Sequence, residues 1–278
     1  MHILARPFAL PKAGNSADDY EDAYWPRRAF DQQVAAIRLA VADGATETSF
    51  AGLWATLLVR AYCRGRLAAG TLAEALPRLQ RNWGRRVGAK PLPWYAEEKV
   101  RSGAFSSLAG LTLHGPAADE TGEGAGGAWD SFAVGDSCLF QVRADELIVA
   151  FPLGSSGQFN NRPALLSSNP ARNDGLAGAL RCAAGRWEAG DEFYLMTDAL
   201  ACWFLRSVES DERPWLELRD LAAERGATAA GAFADWVANL RGAGRLRNDD
   251  MTLLWARACG HGGAGAPADE QMRERGGR

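Results

Sequence analysis

Ile37-Arg38-Leu39-Ala40-Val41-Ala42-Asp43-Gly44 decides how the rest of the chain is read. An apolar run stops at a carboxylate and a glycine. Ser49 follows as a candidate helix N-cap. Beyond it Phe50, Leu53, Trp54, Leu57, Leu58, Ala61 and Tyr62 recur at helical spacing. The pattern predicts a strand over 34–43, a turn, and an amphipathic helix over about 49–68, with Asp43 at the seam. An acid at the end of a buried strand is costly unless something pairs with it. Phe193 to Thr197 repeats the arrangement as strand, Asp198 and helix-spaced Leu200, Phe204, Leu205 and Val208.

Working outward, residues 3–9 read as a first strand and Pro11 to Asn15 as a turn. Leu72, Leu76 and Leu79 continue a helical pattern interrupted by Pro77, and a further helix is expected at about 94–101. The character then turns to β. Phe105 to His114, Trp129 to Val134, Cys138 to Val142 and Glu146 to Phe151 are short apolar segments. Gly135-Asp136-Ser137 and Arg143-Ala144-Asp145 between them are turn signals, and the three later segments read as an antiparallel meander. Residues 152–178 read as a long irregular segment, a kind that is usually functional or else contains short elements that the pattern does not reveal. Pro214 opens a helix, Phe233, Trp236, Val237 and Leu240 mark another, and Asn248-Asp249-Asp250 opens a last strand. The reading is one domain over 1–258 and a Gly-rich, charged tail at 259–278 that is expected to be disordered. Strands followed by helical pairs suggest sheets sandwiched by helices.

Composition excludes several classes. With 278 residues, 47% hydrophobic and 10 Trp, the chain can bury a bulky core. A net charge of -3 argues against nucleic-acid binding, which favours basic surfaces. No apolar run reaches the ~18 residues of a membrane helix, and no signal peptide is evident, so a cytoplasmic location is expected. Five scattered Cys without a CxxC pair fit a reducing compartment and buried thiols. Only three His are present, which leaves few candidates for a His base or a His-rich zinc site.

The chemistry therefore falls to acids. Asp22, Asp43, Asp198 and Asp249 each stand at a strand end or beside a loop, and strands lying side by side would bring them to one rim. Clustered carboxylates repel one another, and a hard divalent cation relieves that repulsion. Each acid taken alone also reads as an ordinary cap or turn residue.

Four segments together resemble the metal-dependent protein phosphatase family, protein phosphatase 2C-like. They are Tyr20-Glu21-Asp22-Ala23, Val41-Ala42-Asp43-Gly44, Ala133-Val134-Gly135-Asp136-Ser137, and Thr197-Asp198-Ala199-Leu200 with Asn248-Asp249-Asp250-Met251-Thr252. They stand in the family's order. The resemblance implies an α+β fold, a four-layer αββα sandwich of two antiparallel sheets flanked by helical pairs. It implies two Mn²⁺ or Mg²⁺ ions, with Asp22 and Asp43 as ligands, the Gly44 carbonyl helping at one ion, Asp198 and Asp249 at the other, and Glu21 holding bound waters. Asp136 is similar to the acid that holds an optional third ion; it reads equally as a hairpin-turn residue. The family's phosphate-gripping Arg is replaced by Ala17 here, and Lys12 is the preferred substitute, although it also reads as a surface lysine. The resemblance implies hydrolysis of phosphoserine and phosphothreonine in a protein substrate. Two other readings stay open: a phosphatase-like fold that binds metal or a partner without efficient turnover, and a metal-free interaction domain. The sequence is silent on oligomeric state.

Overall fold

The structure, a computed structural model, describes residues 1–45, 50–89, 100–116, 126–160, 162–224 and 226–260. Ser49, residues 94–99 of the expected helix and the tail beyond 260 lie outside these residues. The strands are β1 (His2–Leu10), β2 (Ala23–Trp25), β3 (Phe30–Gln33), β4 (Ala36–Ala42), β5 (Phe105–Ser106), β6 (Leu108–His114), β7 (Gly127–Val134), β8 (Cys138–Arg143), β9 (Glu146–Phe151), β10 (Leu166–Ser167), β11 (Arg181–Trp187), β12 (Glu192–Met196) and β13 (Met251–Cys259). The helices are α1 (Ala51–Cys63), α2 (Leu72–Gly88), the single turn α3 (Leu176–Ala179), α4 (Asp198–Glu209), α5 (Pro214–Ala223) and α6 (Ala227–Gly242). No described helix is long and apolar enough to cross a membrane.

Two antiparallel sheets form the centre. One runs β3-β1-β13-β12-β8-β9, the other β11-β7-β6-β4-β2, and β10 pairs with β5 as a small third sheet. The side-chain alternation of β4 explains the unbroken apolar run from Leu39 to Ala42. Leu39 and Val41 point between the sheets, where they join Ile3, Leu111, Trp129, Phe193, Leu195 and Leu254. Ala40 and Ala42 point the other way, against Trp54, Leu58 and Trp83 of α1 and α2. Both faces are buried, so no polar residue breaks the run. The six-stranded sheet does the same with Phe140, Tyr194 and Leu253, which pack on Phe204, Trp215 and Phe233 of α4, α5 and α6. Three apolar layers thus separate four structural ones, and the expected α+β sandwich is found.

Several local expectations change. Helix α1 ends at Cys63, short of position 68, because Gly65 takes φ 69° and its N–H and that of Arg66 bond back to the Tyr62 and Ala61 carbonyls. This paired return is a glycine-terminated helix stop. Phe50 stands at the N-cap position of α1 with φ 62° and makes no side-chain cap. Pro77 lies inside α2 without ending it, since Leu72, Ala75, Leu76, Gln80, Trp83 and Val87 keep one buried stripe across it. The meander is not one sheet: β7 pairs with β6 and β11, while β8 pairs with β9 and β12. Gly135-Asp136-Ser137 therefore carries the chain from one sheet to the other; it is not a hairpin turn. Of the three meander segments, β8 and β9 alone pair with each other, turning through Ala144 and Asp145, both with positive φ. Strand β11 was hidden in the sequence because its pattern, RCAAGRW, is mostly small or charged and largely exposed. Cys182 within it is exposed, contrary to the expectation of buried thiols.

Polar groups bind the two sheets at one end. Gln141 of β8 accepts a 2.9 Å bond from Trp129 Nε1 of β7 and donates to the Arg186 carbonyl and to Asp191. Arg143 closes the same cluster with a two-pronged bond to Asp191.

Candidate metal centre

The strand registers bring the acids to the opposite end. Ala23 of β2 pairs with Ala42 of β4, so Asp22 and Asp43 flank one edge of the five-stranded sheet. Cys138 pairs with Met196, and Met196 with Leu253, so Asp136, Asp198 and Asp249 flank the matching edge of the six-stranded sheet. Antiparallel pairing turns five distant positions into one rim.

Asp22 is buried, and its Oδ2 accepts from Thr252 Oγ1 at 2.6 Å and Thr197 Oγ1 at 3.0 Å. Thr252 lies in β13 of the other sheet and Thr197 directly follows its β12, so Asp22 spans the gap. The Asp43 N–H donates to Ser107 Oγ at 3.1 Å, the Ser107 N–H returns a bond to the Asp43 carbonyl, and Ser107 Oγ meets Ser137 Oγ at 2.6 Å. This chain links Asp43 to the residue beside Asp136. Asp198 opens α4, with Thr197 at the N-cap, where the helix dipole favours a negative charge. Its Oδ2 is ion-paired with Arg247. Gly44 is buried because nothing larger fits: an added Cβ would lie 2.6 Å from the Glu21 carbonyl oxygen and 2.9 Å from Ala51. Gly44 faces Ser106 in an isolated bridge whose bonds come from Asp43 and Ala45.

The electrostatics match a crowded set of acids. Burial, and then the Asp250 charge, push the Asp22 carboxyl well above the usual range, against the two threonine bonds. Burial raises Asp43 too, followed by Asp22, Asp198, Asp136 and Asp249. Asp136 is pushed up to about 7 by burial and next by Asp198. Asp198 is raised by burial, with Arg247 the largest opposing influence. Asp43, Asp136, Asp198 and Asp249 line a cavity of about 400 Å³ with Ala45, Phe105, Asn160, Arg162, Leu165 and Arg247. The 152–178 segment thus supplies one wall of it.

Asp22 and Gly44 do not line this cavity, and neither do Glu21 and Lys12. The backbone N–H groups of Glu21 and Lys12 both donate to Asp250, at 2.7 and 2.8 Å, while Asn248 exchanges bonds with the Ala13 backbone. The 12–21 segment is held to the start of β13 by this clasp. The cations that do line the cavity, among the described residues, are Arg162 and Arg247, and sequence reading missed both. Arg247 stood only two positions before Asp249; that proximity was the available signal.

Every side-chain donor in the set is a carboxylate oxygen, which suits a hard divalent ion, and the mutual charge of the acids is what such an ion would relieve. The set fits the implied metals by its chemistry. In the positions described here, no three His, Cys, Asp or Glu side chains among the described residues are gathered closely enough to hold an ion. Asp22 is turned to its threonines and Asp198 to Arg247, so ligation would draw the carboxylates inward.

The fold is shared with solved phosphatases. The Mycobacterium tuberculosis serine/threonine phosphatase PstP/Ppp is 16% identical with a TM-score of 0.54, over 94% of this chain and 100% of that one. The catalytic domain of PstP in complex with 2 manganese ions is 17% identical with a TM-score of 0.53, over 92% and 99%. PppA of Pseudomonas aeruginosa, described as a key regulatory component of T6SS, is 20% identical with a TM-score of 0.53, over 93% and 98%. No curated protein matches the sequence. A family model described as protein phosphatase 2C matches residues 17–240, most of the chain. The chain belongs to the protein phosphatase 2C family.

Proposed function

We propose that this protein hydrolyses phosphoserine or phosphothreonine esters of a protein substrate, using two Mn²⁺ or Mg²⁺ ions. One observation carries the reading: acids from segments far apart in sequence share one rim and raise one another's proton affinity. Asp22 and Asp43 would hold one ion with the Gly44 carbonyl, and Asp198 and Asp249 the other, with Glu21 toward bound water and Asp136 toward an optional third ion. When bound, such ions supply Lewis acidity toward phosphoryl oxygens and lower the pKa of a nucleophilic water. The protein's own part is to orient. Thr197 and Thr252 fix the Asp22 carboxylate, Ser107 fixes the backbone of Asp43, and Arg162 and Arg247 put positive charge where a phosphate would enter. Asp43→Asn and Asp198→Asn should each lower Mn²⁺-dependent turnover of p-nitrophenyl phosphate by about a hundredfold or more. Rates equal to wild type in both variants would sink the proposal.

Ala17, where the family carries its phosphate-gripping arginine, favours a second reading: metal or partner binding without efficient turnover. Calorimetric Mn²⁺ binding by a protein that leaves phosphopeptides intact would select it.

A further inference from the structure

We infer that Arg247 is an exchangeable cation of the cleft. It neutralises Asp198 in the metal-free protein and turns to the substrate phosphate when a divalent ion takes over that carboxylate. The inference rests on the phosphatase reading above.

The stretch that runs from the end of α6 to β13 carries three arginines with different attachments. Arg241 donates to the Asp249 carbonyl at 2.5 Å, and Arg245 is bound to Glu212 and Ser207. Both are built into the framework. Arg247 has Asp198 as its ion-pair partner, and its side chain is 50% exposed against 15% for the acid. It sits in the turn before β13, outside helix and strand, so its guanidinium can swing without unmaking either element.

The charge balance of the cleft makes the swing useful. Four carboxylates and two guanidinium groups line it among the described residues. A phosphate dianion entering there is repelled unless cations face it. A guanidinium offers a flat, two-pronged donor matched to phosphate oxygens. While Arg247 is paired with Asp198 its charge is neutralised there and its Nη2 is turned to the carboxylate, so it offers a phosphate less. A divalent ion on Asp198 competes for the same oxygen lone pairs and repels the guanidinium, which frees it beside the ion. Metal and phosphate binding are thereby coupled through one side chain, and the coupling is reciprocal. Ala17 offers no donor side chain, so the cleft has need of such a cation.

The test uses the full chain and two titrations that need no turnover. MnCl₂ is titrated by calorimetry into metal-free wild type, R247Q, R162Q and R245Q; inorganic phosphate is then titrated into each Mn²⁺-saturated protein. R162Q removes a cleft charge that is not paired with Asp198, and R245Q removes one paired with Glu212. R247Q should bind Mn²⁺ about three- to tenfold tighter than R162Q does, since it alone loses the competitor. It should bind phosphate about tenfold weaker or more than wild type, with R247K in between and R245Q unchanged. Equal Mn²⁺ affinity in R247Q and R162Q, or phosphate affinity in R247Q within about twofold of wild type, overturns the inference. A wild type that shows both couplings but leaves p-nitrophenyl phosphate intact defeats the phosphatase reading alone. A wild type that turns it over while R247Q keeps wild-type affinities defeats the exchange alone.

Discussion

At the scale of single residues, Gly44 and Asp136 make the sharpest statements. Gly44 is fixed by its neighbours: the Glu21 carbonyl and the first residue of α1 approach where a side chain would begin. Gly44→Ala should cost about 1–3 kcal/mol in urea unfolding, because backbone would have to yield. A variant as stable as wild type would show that the approach is not rigid. Asp136 has a carboxyl pushed up to about 7, first by burial. A folded state that holds a proton more tightly than the unfolded chain is stabilised at low pH and loses that advantage as pH rises between about 4 and 7. The metal-free protein should therefore melt lower at about pH 8 than near pH 5.5, and Asp136→Asn should narrow the gap. Asp22 and Asp43 shift in the same direction, so a residual slope is expected. An unchanged slope in Asp136→Asn would clear this residue as a source of the effect.

At the scale of elements, the clasp between the 12–21 segment and the start of β13 is the feature most open to a direct test. Asp250 receives two backbone N–H groups. Asp250→Ala leaves both without that partner, which should cost about 1–3 kcal/mol. It should also weaken Mn²⁺ binding, since Asp22 follows the released segment and Asp249 adjoins it. Calorimetry together with thermal melting checks both; loss of stability with intact Mn²⁺ affinity would confine Asp250 to the fold. How much could be read beforehand also divides by element. Strands β4 and β12 were legible because burial on both faces writes an unbroken apolar run. Strand β11 was not, because an exposed edge strand of small residues has no alternating stripe to detect. Asp198 was read as the close of a strand but is the first residue of α4, one step past its N-cap. The acids of the rim were legible as a set. The places of Arg162 and Arg247 in the cleft were not, since what a surface arginine faces is decided by the path of a loop and not by local pattern.

At the scale of the molecule, two sheets share the work: Asp22 and Asp43 come with one, Asp198 and Asp249 with the other, and Asp136 rides the strand of chain between them. An ion held between the sheets should stabilise the whole. At about a hundredfold excess over its dissociation constant, Mn²⁺ should add about 2.7 kcal/mol, a rise of roughly 5–10 °C in melting temperature, lost in Asp43→Asn. A melting temperature indifferent to Mn²⁺ would contradict binding in the rim. The Gln141 cluster gains its meaning here. Two plates riveted at one point can still pivot about it; riveted at two, they cannot. Asp22 with its threonines is one rivet, and Gln141 with Trp129 and Asp191 is the second, at the far end. Gln141→Leu would loosen the distant rivet, freeing Asp191 of one bond, and touch no acid of the rim. The far end would then rest on the apolar layer and on Arg143 at the Arg186 carbonyl, with fewer directional bonds to fix the angle between the plates. The angle at which the two halves of the rim face each other is therefore set in part from the far edge of the sandwich.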